Sequence, residues 1–179
     1  MNCRNRFLLL SMLLLTGTFT TLHAQDDKSK RPSPLLEAKA TVGDLHIDID
    51  YGSPAVKGRK VWGGLVPYGE VWRTGANEAT TFEVNKDVEI EGQKLSAGKY
   101  SLFTIPGEKE WTLIFNKEAS QWGAYNYKVE EDALRVTLKP EKVKEMSERL
   151  TFKINEKAGK VTLYWENIAV PFTVKTPKI

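Results

Sequence analysis

Cysteine and histidine are nearly missing from this chain: one cysteine, Cys3, and two histidines, His23 and His46, in 179 residues. Cys3 and His23 both fall in a leading segment with the organisation of a secretory signal peptide. Arg4 and Arg6 make it positive, Phe7 to Phe19 is an apolar run broken only by Ser11, Thr16, Gly17 and Thr18, and Leu22-His23-Ala24 ends in a small residue before Gln25. Cleavage after Ala24 is expected, leaving 155 residues that contain His46 and no cysteine. That excludes a disulfide framework, a thiolate metal site and a multi-histidine zinc site from the mature chain. A G-x-S-x-G elbow is also missing, as is a glycine-rich phosphate loop opening a helix, so a serine hydrolase and a nucleotide-binding α/β fold are not expected.

Long hydrophobic runs are scarce too. The apolar stretch of the leader falls short of the roughly 20 residues that span a bilayer, and no second one follows. No membrane span is expected after cleavage, and the mature protein is expected in the periplasm or secreted. Cys3 precedes the apolar run, where a bacterial lipoprotein carries its cysteine after it, so lipid anchoring is not expected. Charge of one sign is missing as well: without Arg4 and Arg6 the basic count falls from 26 to 24 against 23 acidic residues. With no lysine or arginine stripe, nucleic acid is not an expected partner.

What the chain has is strand and turn. Gln25 to Pro34 is charged and proline-punctuated, and reads as a flexible linker before one domain over residues 35–176. Leu45, Ile47, Ile49 and Tyr51 alternate with His46, Asp48 and Asp50, which predicts a strand with one wet face, paired through Val42-Gly43-Asp44 with an earlier strand. Ala79–Val84 and Val88–Glu91 flank Asn85-Lys86-Asp87 and read as a hairpin. Further strands are predicted at 99–105, 110–116, 134–138, 150–155, 161–166 and 168–174, and Trp111 to Phe115 is apolar on both faces, as a central strand is. Val143 and Met146 suit one face of a short helical turn within 140–148. The expected fold is all-β: an antiparallel β-sandwich, or a partly open barrel, of about nine or ten short strands with little helix.

One stretch departs from this plain text. Gly58 to Thr80 sets Arg59, Trp62, Tyr68, Trp72, Arg73, Asn77 and Glu78 among five glycines. Large aromatics beside fixed-geometry polar groups, on a backbone freed by glycine, suit recognition. Arg73 offers a planar fork for a carboxylate or phosphate, Asn77 both a donor and an acceptor, and Glu78 a proton-transfer group. The same residues also suit a rigid loop in which Arg73 pairs with Glu78 or Glu70 and Asn77 closes a turn. Trp122, in the glycine-flanked Gln121-Trp122-Gly123-Ala124-Tyr125, joins the candidate ligand-binding set as a ring for stacking on sugars. Trp111 and Trp165 sit inside strands and read as core. His46, Asp48 and Asp50 share a strand face, yet nothing nearby completes a coordination shell, so neither a metal nor a cofactor is expected.

Gly63-Gly64-Leu65-Val66-Pro67-Tyr68-Gly69, Val71-Trp72-Arg73-Thr74-Gly75-Ala76-Asn77-Glu78-Ala79-Thr80, Gly98-Lys99-Tyr100-Ser101-Leu102-Phe103 and Gln121 to Tyr125, with Val56-Lys57-Gly58-Arg59, together resemble the bacterial envelope family called domain of unknown function 2911. The resemblance covers nearly all of the mature chain. Ala55 stands where many members carry serine, so no hydroxyl acts there. The resemblance implies a secreted, mostly β protein and no particular activity. Three functions remain open: a binding module for a small polar molecule or glycan; a hydrolase or isomerase with Glu78 as acid or base and Arg73 as anion clamp; and a structural or interaction protein of the envelope.

Overall fold

The computed structural model describes residues 27–177, so the expected signal peptide lies outside the described residues. Ten strands form two antiparallel sheets. They are β1 (Leu35–Val42), β2 (Leu45–Gly52), β3 (Thr80–Val84), β4 (Val88–Ile90), β5 (Gln93–Leu95), β6 (Gly98–Ile105), β7 (Trp111–Asn116), β8 (Asp132–Leu138), β9 (Glu141–Asn155) and β10 (Lys160–Lys175). One sheet runs β1-β2-β3-β6-β7-β8 and the other β5-β4-β10-β9. This is a β-sandwich with no closed barrel.

Alternation in the sequence becomes the two faces of each strand. Leu45, Ile47, Ile49 and Tyr51 of β2 point inward and are buried, together with Phe82 and Val84 of β3 and Leu113 and Phe115 of β7. They meet Val88, Ile90, Phe152, Leu163 and Phe172 of the other sheet in one core cluster. Burying one such side chain contributes about 1.5–3 kcal/mol. β7 is buried on both faces, because Ile114 packs outward with Phe103 and Ala79 under Ala124 and Tyr127 of the β7–β8 connection.

Three local expectations change. The stretches around Asn85-Lys86-Asp87 do not form a hairpin: β3 pairs with β2 and β6, β4 with β5 and β10, and the link carries the chain from one sheet to the other. The Asn85 side chain accepts from the His46 N–H and donates to the Asp44 carbonyl, and Asp87 accepts from the Ala97 N–H, so both serve neighbouring turns. Residues 141–148 are extended within β9, since pairing with β10 supplies the backbone bonds a lone helical turn could not. The strands expected at 161–166 and 168–174 are one strand, β10, interrupted by bulges around Glu166, which has φ 54°. Inward positions are Val161, Leu163 and Trp165 before the irregularity and Val170, Phe172 and Val174 after it, an odd-to-even change across the two register shifts against β9.

Candidate functional site

The β2–β3 connection, residues 53–79, begins by stitching itself to β9. The Ser53 hydroxyl donates to the Leu150 carbonyl at 2.8 Å, the Leu150 N–H to the Pro54 carbonyl at 3.0 Å, and the Val56 N–H to the Glu148 carbonyl at 2.8 Å. The connection then folds over one end of the sandwich. Residues 60–66 close on themselves through Leu65 N–H to Lys60 carbonyl and Val66 N–H to Val61 carbonyl. Trp72 exchanges both backbone bonds with Thr104 of β6.

Four of the five tryptophans meet at this end. Trp62 and Trp72 each contact Trp111 and Trp165 and one another, with ring centroids 4.8–6.4 Å apart, edge-on except for Trp72 and Trp165, which stack at 5.8 Å and 18°. Offset stacks and edge contacts of this kind contribute about 0.5–1.5 kcal/mol per pair beyond burial. The Trp72 indole N–H donates to the Gly75 carbonyl at 3.2 Å, which fixes the next turn of the loop against the ring.

That turn, Arg73 to Ala79, is held tightly. Ala76 N–H donates to the Gly52 carbonyl, and a Cβ on Gly52 would lie 2.0 Å from the Ala76 carbonyl oxygen, an approach only glycine permits. Thr74 is fully buried at φ 55°, an unusual conformation for a β-branched residue. Its hydroxyl donates to the Trp72 carbonyl and shares a bond with Thr104 Oγ1, and its carbonyl accepts from Thr80 Oγ1. Asn77 is also left-handed, at φ 65°, and donates through Nδ2 to the Ser33 carbonyl at 3.0 Å.

The turn forms one side of a cleft of about 300 Å³ whose walls include Arg59, Trp72, Arg73, Asn77, Ser33 and Trp165. Arg59 is braced by its own loop, donating through Nε to the Val56 carbonyl and through Nη2 to the Ala55 carbonyl. Arg73 makes no side-chain bond among the described residues, and its Nε–H is buried without an acceptor. The Trp165 indole N–H is likewise buried and unpartnered.

Glu78 turns the other way. Both its oxygens accept from Arg31 Nη1 at 3.0 Å, and Lys28 Nζ lies 2.8 Å from Oε1. Burial alone would raise its pKa; the bonds from Lys28, from backbone and from Arg31 outweigh it and bring the carboxyl from 4.5 down to about 2. Lys28 and Arg31 belong to residues 27–34, expected as a flexible linker. In the structure Lys28–Lys30 form a short 3-10 turn, Arg149 donates to the Pro32 carbonyl, and Ser53 N–H donates to the Pro34 carbonyl, so the segment is a strap laid across the loop.

Of the sequence-derived candidates, the fold thus brings together Arg59, Trp72, Arg73 and Asn77. Trp62 is buried beneath them in the tryptophan cluster. Tyr68 is partly exposed and rests on Gly63, outside the cleft. Trp122 is 55% exposed; its backbone bridges Glu78, and Gly123 N–H donates to the Asn77 carbonyl, so residues 121–123 zip along the far side of the turn. Trp165, read from the sequence as core, is core at 1% exposure and also reaches the cleft wall, a second role the sequence did not suggest; Ser33 was not foreseen. The interruption at Glu166-Asn167 between two apolar runs was the available sign that β10 bends where Trp165 enters the cleft; nothing marked Ser33.

Glu37, Asp48 and Asp50 bring carboxylate oxygens within 4.8 Å of one another on the wet face of β1 and β2. Lys39 neutralises Glu37 and Asp48, and Lys99 lies 3.5 Å from Asp50, which accounts for the cluster as a surface ion-pair network.

The family model described as protein of unknown function (DUF2911) matches residues 33–174. The chain belongs to this family. The match takes in all ten strands of the DUF2911 domain except the last residue of β10, and every wall residue of the cleft named above. Lys28 and Arg31, which hold Glu78, precede the matched span of the DUF2911 model. No curated protein and no solved structure matches the chain.

Proposed function

We propose that this DUF2911 protein is a periplasmic or secreted binding module that holds a small polar or glycan-like ligand in the cleft between Arg73 and Trp72. The observation that carries the reading is the Arg73 guanidinium: it stands in a cleft with no partner among the described residues, on a turn whose backbone is strained at Thr74. A buried donor without an acceptor costs about 1–3 kcal/mol, and a left-handed non-glycine residue costs a similar amount. Such costs persist where a ligand, rather than the fold, uses the group. Trp72 and Trp165 add apolar surface beside the polar edge, the combination of a small-molecule site.

An acid–base role for Glu78 is less well supported. Its oxygens are taken by Lys28 and Arg31, its carboxyl is held ionised far below neutral pH, and it faces away from Arg73. The envelope placement rests on the leader, and amino-terminal sequencing of the exported protein tests it: the reading expects Gln25 first. The binding reading is tested by thermal-shift and intrinsic tryptophan fluorescence screens with envelope glycans, peptidoglycan fragments and small acids. Ligands that stabilise the parent and not Arg73→Ala support it. A flat response throughout, with the two proteins alike, contradicts it.

A further inference from the structure

We propose that the occupant of this cleft is a small organic anion whose carboxylate or phosphate oxygens lie against Arg73; the inference rests on the binding reading above and narrows its ligand class. Two arginines line the cleft and no aspartate or glutamate does. Neither Arg59 nor Arg73 takes part in an ion pair among the described residues; of the two acids in the loop, Glu70 lies outside the cleft lining and forms no ion pair among the described residues, and Glu78 is spent on the strap. Among the described residues, nothing neutralises the cation of Arg73.

The buried unsatisfied groups that line the cleft are of one kind. Arginine and indole nitrogens donate and do not accept, so the buried Nε–H of Arg73 and N–H of Trp165 both call for an acceptor. Asn77 has already given an Nδ2 proton to Ser33, and Arg59 has used two of its donors on backbone carbonyls while keeping the others. A neutral sugar would satisfy donors one hydroxyl at a time and leave the charge uncompensated. A carboxylate or phosphate matches the planar fork with paired, charge-assisted bonds, which are about twice as strong as neutral ones. The volume of about 300 Å³ stands at the small end of ligand sites, which suits a metabolite-sized acid.

The test titrates the mature chain with matched acid and neutral probes, galacturonate against galactose and glycerol 3-phosphate against glycerol, with acetate and inorganic phosphate as bare oxyanions. The readout is the indole N–H resonances of Trp72 and Trp165 and the emission of the cluster. The expected result is that acids shift both signals and neutral probes do not, with the carboxylate and phosphate arms separating the two sources. Arg73→Gln should weaken the effective acid by about ten- to a hundredfold, and Arg73→Lys, which keeps the charge and loses the fork, should fall between. Neutral probes acting as strongly as acids, or acids acting equally on Arg73→Gln, would overturn the anion inference and leave the binding reading standing. Neutral probes acting alone would do the same, and silence from every probe would overturn both.

Discussion

Arg73 and Glu78 lie on one tight turn and do not pair: the guanidinium lines the cleft without a partner among the described residues, while the carboxylate is bound by Lys28 and Arg31 of the strap. An arginine and a glutamate at this spacing would ordinarily pair across a loop. Here the chain between them passes through the left-handed residues Thr74 and Asn77, and Arg73 and Glu78 line separate hollows.

The strap makes stability depend on pH through Glu78. Its folded pKa of about 2 lies below the ordinary 4.5, so the stabilisation is complete above about pH 4.5 and is lost as pH falls toward 2. Glu78→Gln should lower stability at pH 7 by about 1 kcal/mol, a modest value because the pair is partly open to solvent. The difference between parent and variant should vanish near pH 2. Melting temperatures of both proteins across that range check it, and a gap that persists in acid counts against the pairing.

The tryptophans should divide sharply. Trp62→Ala removes the ring at the centre of the cluster and is expected to cost about 3–5 kcal/mol. Trp122→Ala removes an exposed ring and should change stability by no more than about 0.5 kcal/mol, while deleting the component of the emission most open to acrylamide quenching. Urea unfolding and quenching measured on the two variants test both statements.

Gly52 is where the loop closes on the sheet. Gly52→Ala would push a Cβ into the Ala76 carbonyl and should cost about 3 kcal/mol or more, with loss of any Arg73-dependent binding. Gly43→Ala, in an open turn at φ 66°, should cost only about 1–2 kcal/mol for its left-handed backbone. Equal costs for the two would mean that the close approach does not hold the loop.

Much of the fold was legible because β2 and β7 state their faces residue by residue. The β3–β4 link was not, since Asn-Lys-Asp reads alike for a hairpin and for a crossing between sheets, and only the bonds of Asn85 to the β1–β2 turn distinguish them. Val143 and Met146 stand three apart on an exposed edge, a spacing that a helix also satisfies, and β9 is set by its partner β10 instead. In the site, Arg59, Trp72, Arg73 and Asn77 could be read because they are near in sequence and separated by glycines. Trp165 and Ser33 come from a distant strand and from the strap; their approach depends on the β10 bulge, marked in the text only by the Glu166-Asn167 interruption, and on the strap's docking, which local text does not encode.

The stability of Arg73→Gln in the absence of any ligand tests most directly whether Arg73 serves a ligand or the fold. With no side-chain partner among the described residues and its Nε–H buried and unsatisfied, Arg73 contributes no bond the fold needs, so the variant is expected to be as stable as the parent, within about 0.5 kcal/mol, or slightly more stable. A loss of about 3 kcal/mol or more, the signature of a broken buried ion pair, would make Arg73 a strut and contradict the site.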